Sequence, residues 1–260
     1  MGFFNLGKKK QTQNSNQDLE QNQDPENQEK RERMEQFEKV FFETIDRKRE
    51  EDPLIGAKFG AKEIYSRLID NLKESDNRLN VDNLLLFASG LAGISCQMTV
   101  IRLAEQKQIP ETGALIVVQC ENGRKYFMGD NLNYFLLENQ YSVYSLLAGI
   151  YQHLAPEHPL PDIHAYAGEC VKNLGNENYK IWGRITEPEV IALNLKLWNA
   201  FYPIAEKFCK TPQEIPILFG LVLQHTMETA LQVLEPEKCL SMALENILYS
   251  AKLNYLEKLK

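Results

Sequence analysis

The chain has no C-x-x-C pair, no G-x-S-x-G stretch, no complete phosphate-binding loop and no excess of basic residues. Each absence closes a class of function. Its five cysteines, Cys96, Cys120, Cys170, Cys209 and Cys239, are scattered and odd in number, which fits neither a disulfide framework nor a zinc site. They read as thiols in a reducing, cytoplasmic setting. With 29 Lys and Arg against 36 Asp and Glu, the net charge of −7 disfavours a broad nucleic-acid surface, which needs clustered cations to displace counterions.

"IGAKFGAK" (55–62) lacks the four-residue gap between glycines and the Ser or Thr after Lys that a phosphate loop requires, and no strand precedes it. It reads as a helix start with small contacts, and no cofactor is predicted. The opening "MGFFNLGKKK" puts its apolar residues before its basic ones, the reverse of a secretory signal. Its myristoylation pattern fails because Leu6 stands where Ser or Thr is wanted.

What is there begins with a polar tail. Residues 11–32 hold almost nothing apolar, so ordering them would cost entropy without compensating burial. The expected division is therefore a disordered tail over 1–32 and a helical globular domain over 33–260. Residues 1–10, with Phe3, Phe4 and Leu6 beside Lys8, Lys9 and Lys10, carry a weak signal for contact with an anionic membrane surface. A solubilising tail is the preferred reading.

The 43% hydrophobic content supports a real core. Apolar residues at Met34, Phe37, Val40, Phe41 and Ile45 predict a helix over about 34–49, broken by "EEDP" (50–53). A second helix is expected over 54–72. Leu84 to Ile101 carries no charge for eighteen residues, long enough to be weighed as a membrane span. Ser89, Ser95, Gln97 and Thr99 dilute it and no basic cluster flanks it, so a soluble central helix is expected, with Ala88, Ser89, Ala92 and Gly93 as a close-packing surface.

Tyr134, Tyr141, Tyr144 and Tyr151, spaced by seven, three and seven, predict one side of a single helix. "APEHPLPD" (155–162), with three prolines, is the candidate seam between halves. Asp162 can cap the next helix and Gly175 can end it. "TEPE" (186–189) and "TPQE" (211–214) both match a capping box, Pro203 should kink or end the helix after the first, and a last amphipathic helix is expected to run through Leu256. The fold class is mainly α: about eight helices with one β-hairpin near 114–128.

The hairpin carries the functional reading. Asn122-Gly123 is a type I′ turn signal, which sets Glu121 opposite Arg124, Val118 opposite Phe127 and Val117 opposite Met128. Ala114 to Val118 is apolar on both faces, so both faces should be covered. A two-stranded ribbon leaves two open edges, and pairing with the same hairpin of a second copy would close them across a two-fold axis. The plainer alternative leaves those edges in water or under loops. Interface candidates are Val117, Val118, Tyr126, Phe127, Tyr134, Tyr141 and Tyr144.

His153, His158 and His164 with Asp162 crowd the proline-rich stretch as candidate metal ligands, though no spacing among them fixes a geometry. His225 and Glu228, three apart, could act as base and orienter, but a simple hydrogen-bonded pair explains them. The sequence thus points to a non-catalytic interaction or scaffold protein that pairs with itself and with a protein partner of unknown identity. The rival is a small-molecule- or metal-binding protein or enzyme with a Tyr/His-lined pocket near the hairpin and residues 153–164.

Overall fold

The computed structural model describes residues 25–73 and 78–257. Eight helices of eleven or more residues lie among them, with one two-stranded antiparallel sheet, as a mainly α chain with a single hairpin requires. The chain divides into two compact units, one ending at Glu51 and the other running Asp52–Lys260.

The first unit contributes α1 (Pro25–Lys48). The helix therefore takes in residues 25–32 of the segment expected to be a disordered tail. Alternating charges sustain it there through side-chain pairs such as Glu29–Arg33. Residues 1–24, and with them the membrane-contact segment 1–10, lie outside the described residues. Met34, Phe37 and Val40 on α1 are exposed.

The second unit is built around α3 (Val81–Glu105), which is buried along nearly its whole length. By length and hydropathy α3 would suffice to cross a membrane, yet 94% of its apolar window is enclosed by protein. Small residues make that enclosure tight. A Cβ on Gly93 would lie 2.6 Å from the Ile247 carbonyl oxygen, and one on Gly90 would overlap Asn194. These neighbours belong to α8 (Pro236–Ser250) and α6 (Glu187–Phe208), and α7 (Glu214–Ala230) packs against α3 most extensively of all. In α2 (Ile55–Leu72), Gly56, Ala57, Gly60 and Ala61 are all buried, and Gly60 sits against Leu218 and Phe208. The "GAK" repeat is a helix start with small contacts. α4 (Val143–Leu154) packs on α7, and α5 (Ile163–Asn173) packs on α8.

Several boundaries follow the capping chemistry. Asp162 caps α5 by accepting from the backbone N–H of His164 and Ala165, and Gly175, at φ +79°, follows its end. At α6 the Glu189 carboxylate accepts from both the N–H and the hydroxyl of Thr186.

Other expectations fail for identifiable reasons. The "TPQE" stretch does not cap α7 as expected: the Thr211 hydroxyl donates to the Glu214 carboxylate, but α7 starts only at Glu214, after a turn in which the Thr211 and Pro212 carbonyls accept from Glu214 and Ile215. Of the two outcomes expected at Pro203, a kink or an end, the helix does not end there: α6 runs on to Phe208 with Pro203 inside it. The four tyrosines do not share one helix. Tyr134 lies in a π-helical stretch, Tyr134–Glu138, that follows a single helical turn, Asp130–Asn133. Tyr141 lies in the connection that Ser142 closes by capping α4. Only Tyr144 and Tyr151 lie on α4, and the side chain of Tyr151 is fully buried.

Candidate functional site

The hairpin consists of β1 (Ile116–Gln119) and β2 (Lys125–Met128), joined by residues 120–124. Its register is Ile116 with Met128, Val117 with Phe127, Val118 with Tyr126 and Gln119 with Lys125. This is one residue away from the register a type I′ turn would set. The cause is local: Gly123 takes φ +81° while Asn122 keeps a negative φ, and the Gly123 N–H donates to the Cys120 carbonyl. That is a type I turn followed by a left-handed glycine, a three-residue loop. Cys120 and Arg124 close it, with the Cys120 N–H donating to the Arg124 carbonyl. The Asn122 side chain is committed elsewhere, accepting from the Arg124 N–H and donating to the Gly175 carbonyl at 2.7 Å.

β2 is anchored from three sides. Along its outer edge the Phe127 N–H donates to the Lys252 carbonyl at 2.8 Å, and Tyr126 bridges to Leu253. The C-terminal segment there has left the helix: α8 ends at Ser250, and the expected continuation through Leu256 is replaced by a short run alongside the strand. Gln97, fully buried in α3, holds that run by donating to the Ala251 and Leu253 carbonyls. Gln97, a long polar side chain within the uncharged run Leu84–Ile101, thus sets the position of the hairpin's neighbour.

Beneath one face, the Tyr126 hydroxyl donates to Glu187 at 2.7 Å, and the Tyr249 hydroxyl donates to the same carboxylate oxygen at 2.8 Å. Glu187 stands in the first turn of α6, where the helix dipole favours an anion. Arg124 lies 3.7 Å from it. Burial raises the Tyr126 hydroxyl well above the usual tyrosine pKa, and the Glu187 carboxylate adds to the rise. The same two causes raise Tyr249. Tyr126 and Phe127 are 1% and 6% exposed.

β1 lies at the opposite extreme. Ile116 and Val117 are each 54% exposed and Val118 37%, so the expectation that this apolar strand is covered on both faces is overturned. The helices that seal β2 do not extend over its partner. In an antiparallel ladder successive residues turn their backbone groups alternately toward and away from the neighbour. Because the Phe127 N–H turns away from β1, its cross-strand partner Val117 turns its own groups outward, as does Gln119. Among the described residues no hydrogen bond reaches those outward groups. The hairpin has one closed edge and one open one.

A groove of about 750 Å³, lined by Ile101, Lys107, Glu111, Leu115, Phe127 and Leu256 among others, adjoins the approach to β1 but takes in none of Ile116–Gln119. It does not gather the tyrosines or histidines of the rival reading. Tyr134 and Tyr141 are exposed and Tyr144 is half-buried. His153 and His164 are exposed, His158 pairs with Glu237, and Asp162 is used as a cap. Among the described residues no group of three or more His, Cys, Asp or Glu side chains is arranged to hold a metal ion. His225 and Glu228 form a 3.2 Å helical pair beside the Tyr65 ring.

Of the interface candidates, Val117 and Val118 stand at the open edge, while Tyr126 and Phe127 form its buried backing. Sequence reasoning missed Gln97, Glu187 and Tyr249. Only Gln97 left a signal, as a polar residue inside an uncharged run. Comparison of the chain with protein-family models, with curated proteins and with solved structures gives no match.

Proposed function

We propose that the chain is a non-catalytic interaction protein that pairs with a second copy through the outer edge of β1. The observation that carries this reading is the contrast between the two edges: β2 is hydrogen-bonded to the C-terminal segment, while Val117 and Gln119 turn unpaired backbone groups outward between exposed apolar side chains. An exposed apolar edge is a template for strand addition, and two-fold association, the commonest symmetry of soluble homo-oligomers, can satisfy it. The anchoring of the hairpin at Gly175, Glu187 and Lys252 keeps the edge pre-formed, so little ordering entropy is lost on pairing. A cytoplasmic setting is part of the proposal, supported by five free thiols.

Size-exclusion chromatography with light scattering tests it. The wild-type protein is expected as a dimer, and Val117→Pro as a monomer with an unchanged circular dichroism spectrum. Proline at an outward-facing edge position removes a donor the monomer does not use. A wild-type protein that stays monomeric at high micromolar concentration overturns the reading.

A further inference from the structure

We infer that the two copies pair in one particular register, with Val118 facing Val118 across the two-fold axis and Val117 opposite Gln119 of the second copy; this rests on the self-pairing proposed above. The register follows from the alternation of backbone groups. Only residues whose N–H and C=O both turn outward can exchange a pair of hydrogen bonds between antiparallel strands. Within β1 those residues are Val117 and Gln119. An axis at Val118 matches each Val117 with a Gln119 and satisfies all the outward groups of both extended strands. An axis at Val117 would pair Val117 with itself and set Gln119 against Leu115, where the chain has already bent out of the strand. Outward groups losing water without a partner cost more than a Gln side chain facing a Val.

The composition of the strand is compatible with a second copy. Ile116–Gln119 contains no charged residue, so two copies meet there without like-charge repulsion. In the proposed register Glu121 at the partner's turn comes opposite Leu115, which lines the groove together with Lys107. Glu121 and Lys107 are both exposed. The groove rim carries Glu105 and Glu111 as well as Lys107, so it is the alternation of backbone groups, and not charge, that selects the register.

The test is cross-linking in the full chain, with Cys120 and Cys209 replaced by Ser to remove the partly accessible native thiols. Val118→Cys should oxidise to a covalent dimer under mild oxidant, because directly opposed residues of a non-hydrogen-bonded pair lie about 4.5 Å apart at Cα, within disulfide range. Val117→Cys should not. Mass spectrometry should identify the 118–118 linkage, and circular dichroism should confirm that both variants fold. A dimer in which Val117→Cys cross-links and Val118→Cys does not overturns the register while leaving self-pairing intact. A monomer in every variant and in the wild type overturns the self-pairing itself.

Discussion

The two strands of the hairpin have the same length and comparable apolar content, IVVQ against KYFM, yet they stand in opposite environments. On β2, Tyr126 and Phe127 are sealed on the two faces of the strand and the outer edge is hydrogen-bonded to Lys252. On β1, three aliphatic side chains and the outer edge face solvent. Strand propensity does not distinguish them. The difference lies in what the rest of the fold brings alongside: Gln97 fixes the C-terminal run against one strand, Glu187 meets it from the first turn of α6, and nothing among the described residues performs either task for the other. One strand is therefore a structural element and the other a surface element.

Removing the side chains that seal β2 gives the largest effect and tests the comparison most directly. Phe127→Ala is expected to destabilise by about 3–5 kcal/mol through lost burial and a cavity, whereas Val117→Ala should change stability by under about 0.5 kcal/mol. Urea denaturation of both measures it, and equal losses would mean that the two strands are buried alike.

The second expectation concerns the clamp. Gln97→Leu should cost about 1–3 kcal/mol by stranding the Ala251 and Leu253 carbonyls. It should also speed hydrogen exchange at the Phe127 amide, which donates to that segment. Unchanged exchange there would detach β2 from α3.

The third is a pH dependence. Tyr126 and Tyr249 have folded-state pKa values raised above the usual 10.0 by burial and by Glu187, so their contribution is complete below about pH 10 and is lost as the pH climbs toward the folded values. The buried thiols Cys96, Cys170 and Cys239, pushed up to about 12, act in the same direction from about pH 9. Buried Lys252 acts oppositely: burial lowers its folded pKa, so its penalty is relieved as the pH approaches 10.5. Denaturation midpoints between pH 8 and 12 should fall in the upper half of that range, less steeply in Tyr126→Phe. Identical slopes would remove Tyr126 from the account.

A small effect on stability is also expected from Val117→Pro. It should shift the monomer's free energy by under about 1 kcal/mol because the lost N–H faces outward, whereas the same change at Val118 removes a donor to β2 and should be much worse. Comparable losses at 117 and 118 would contradict the assigned alternation.

Much of the helical framework was legible because its signals are local. The Asp162 cap, the Thr186–Glu189 contact and the small-residue surface of α3 each involve neighbours in the chain or one continuous stripe. The hairpin was legible as an element but not in register, because Asn-Gly serves two turn types. The choice between them accompanies Asn122 bonding to Gly175, fifty-three residues away. The end of α8 was illegible for a related reason. Leu253 and Leu256 continue a helical periodicity, but the segment instead runs beside β2, where the Lys252 carbonyl meets Phe127. The tyrosine spacing misled because a π-helical stretch and the Ser142 cap intervene, and neither alters the apolar count.

From its residues alone this chain was bound to be mainly helical, with a central helix built on a long uncharged run and a turn at Asn122-Gly123, since periodicity, capping and left-handed glycine are properties of short stretches. Which strand would be enclosed and which left open was decided by tertiary structure. An aliphatic strand has no inside or outside until other segments arrive, and those that arrive here, α3 through Gln97, α6 through Glu187 and the run after α8, all meet β2.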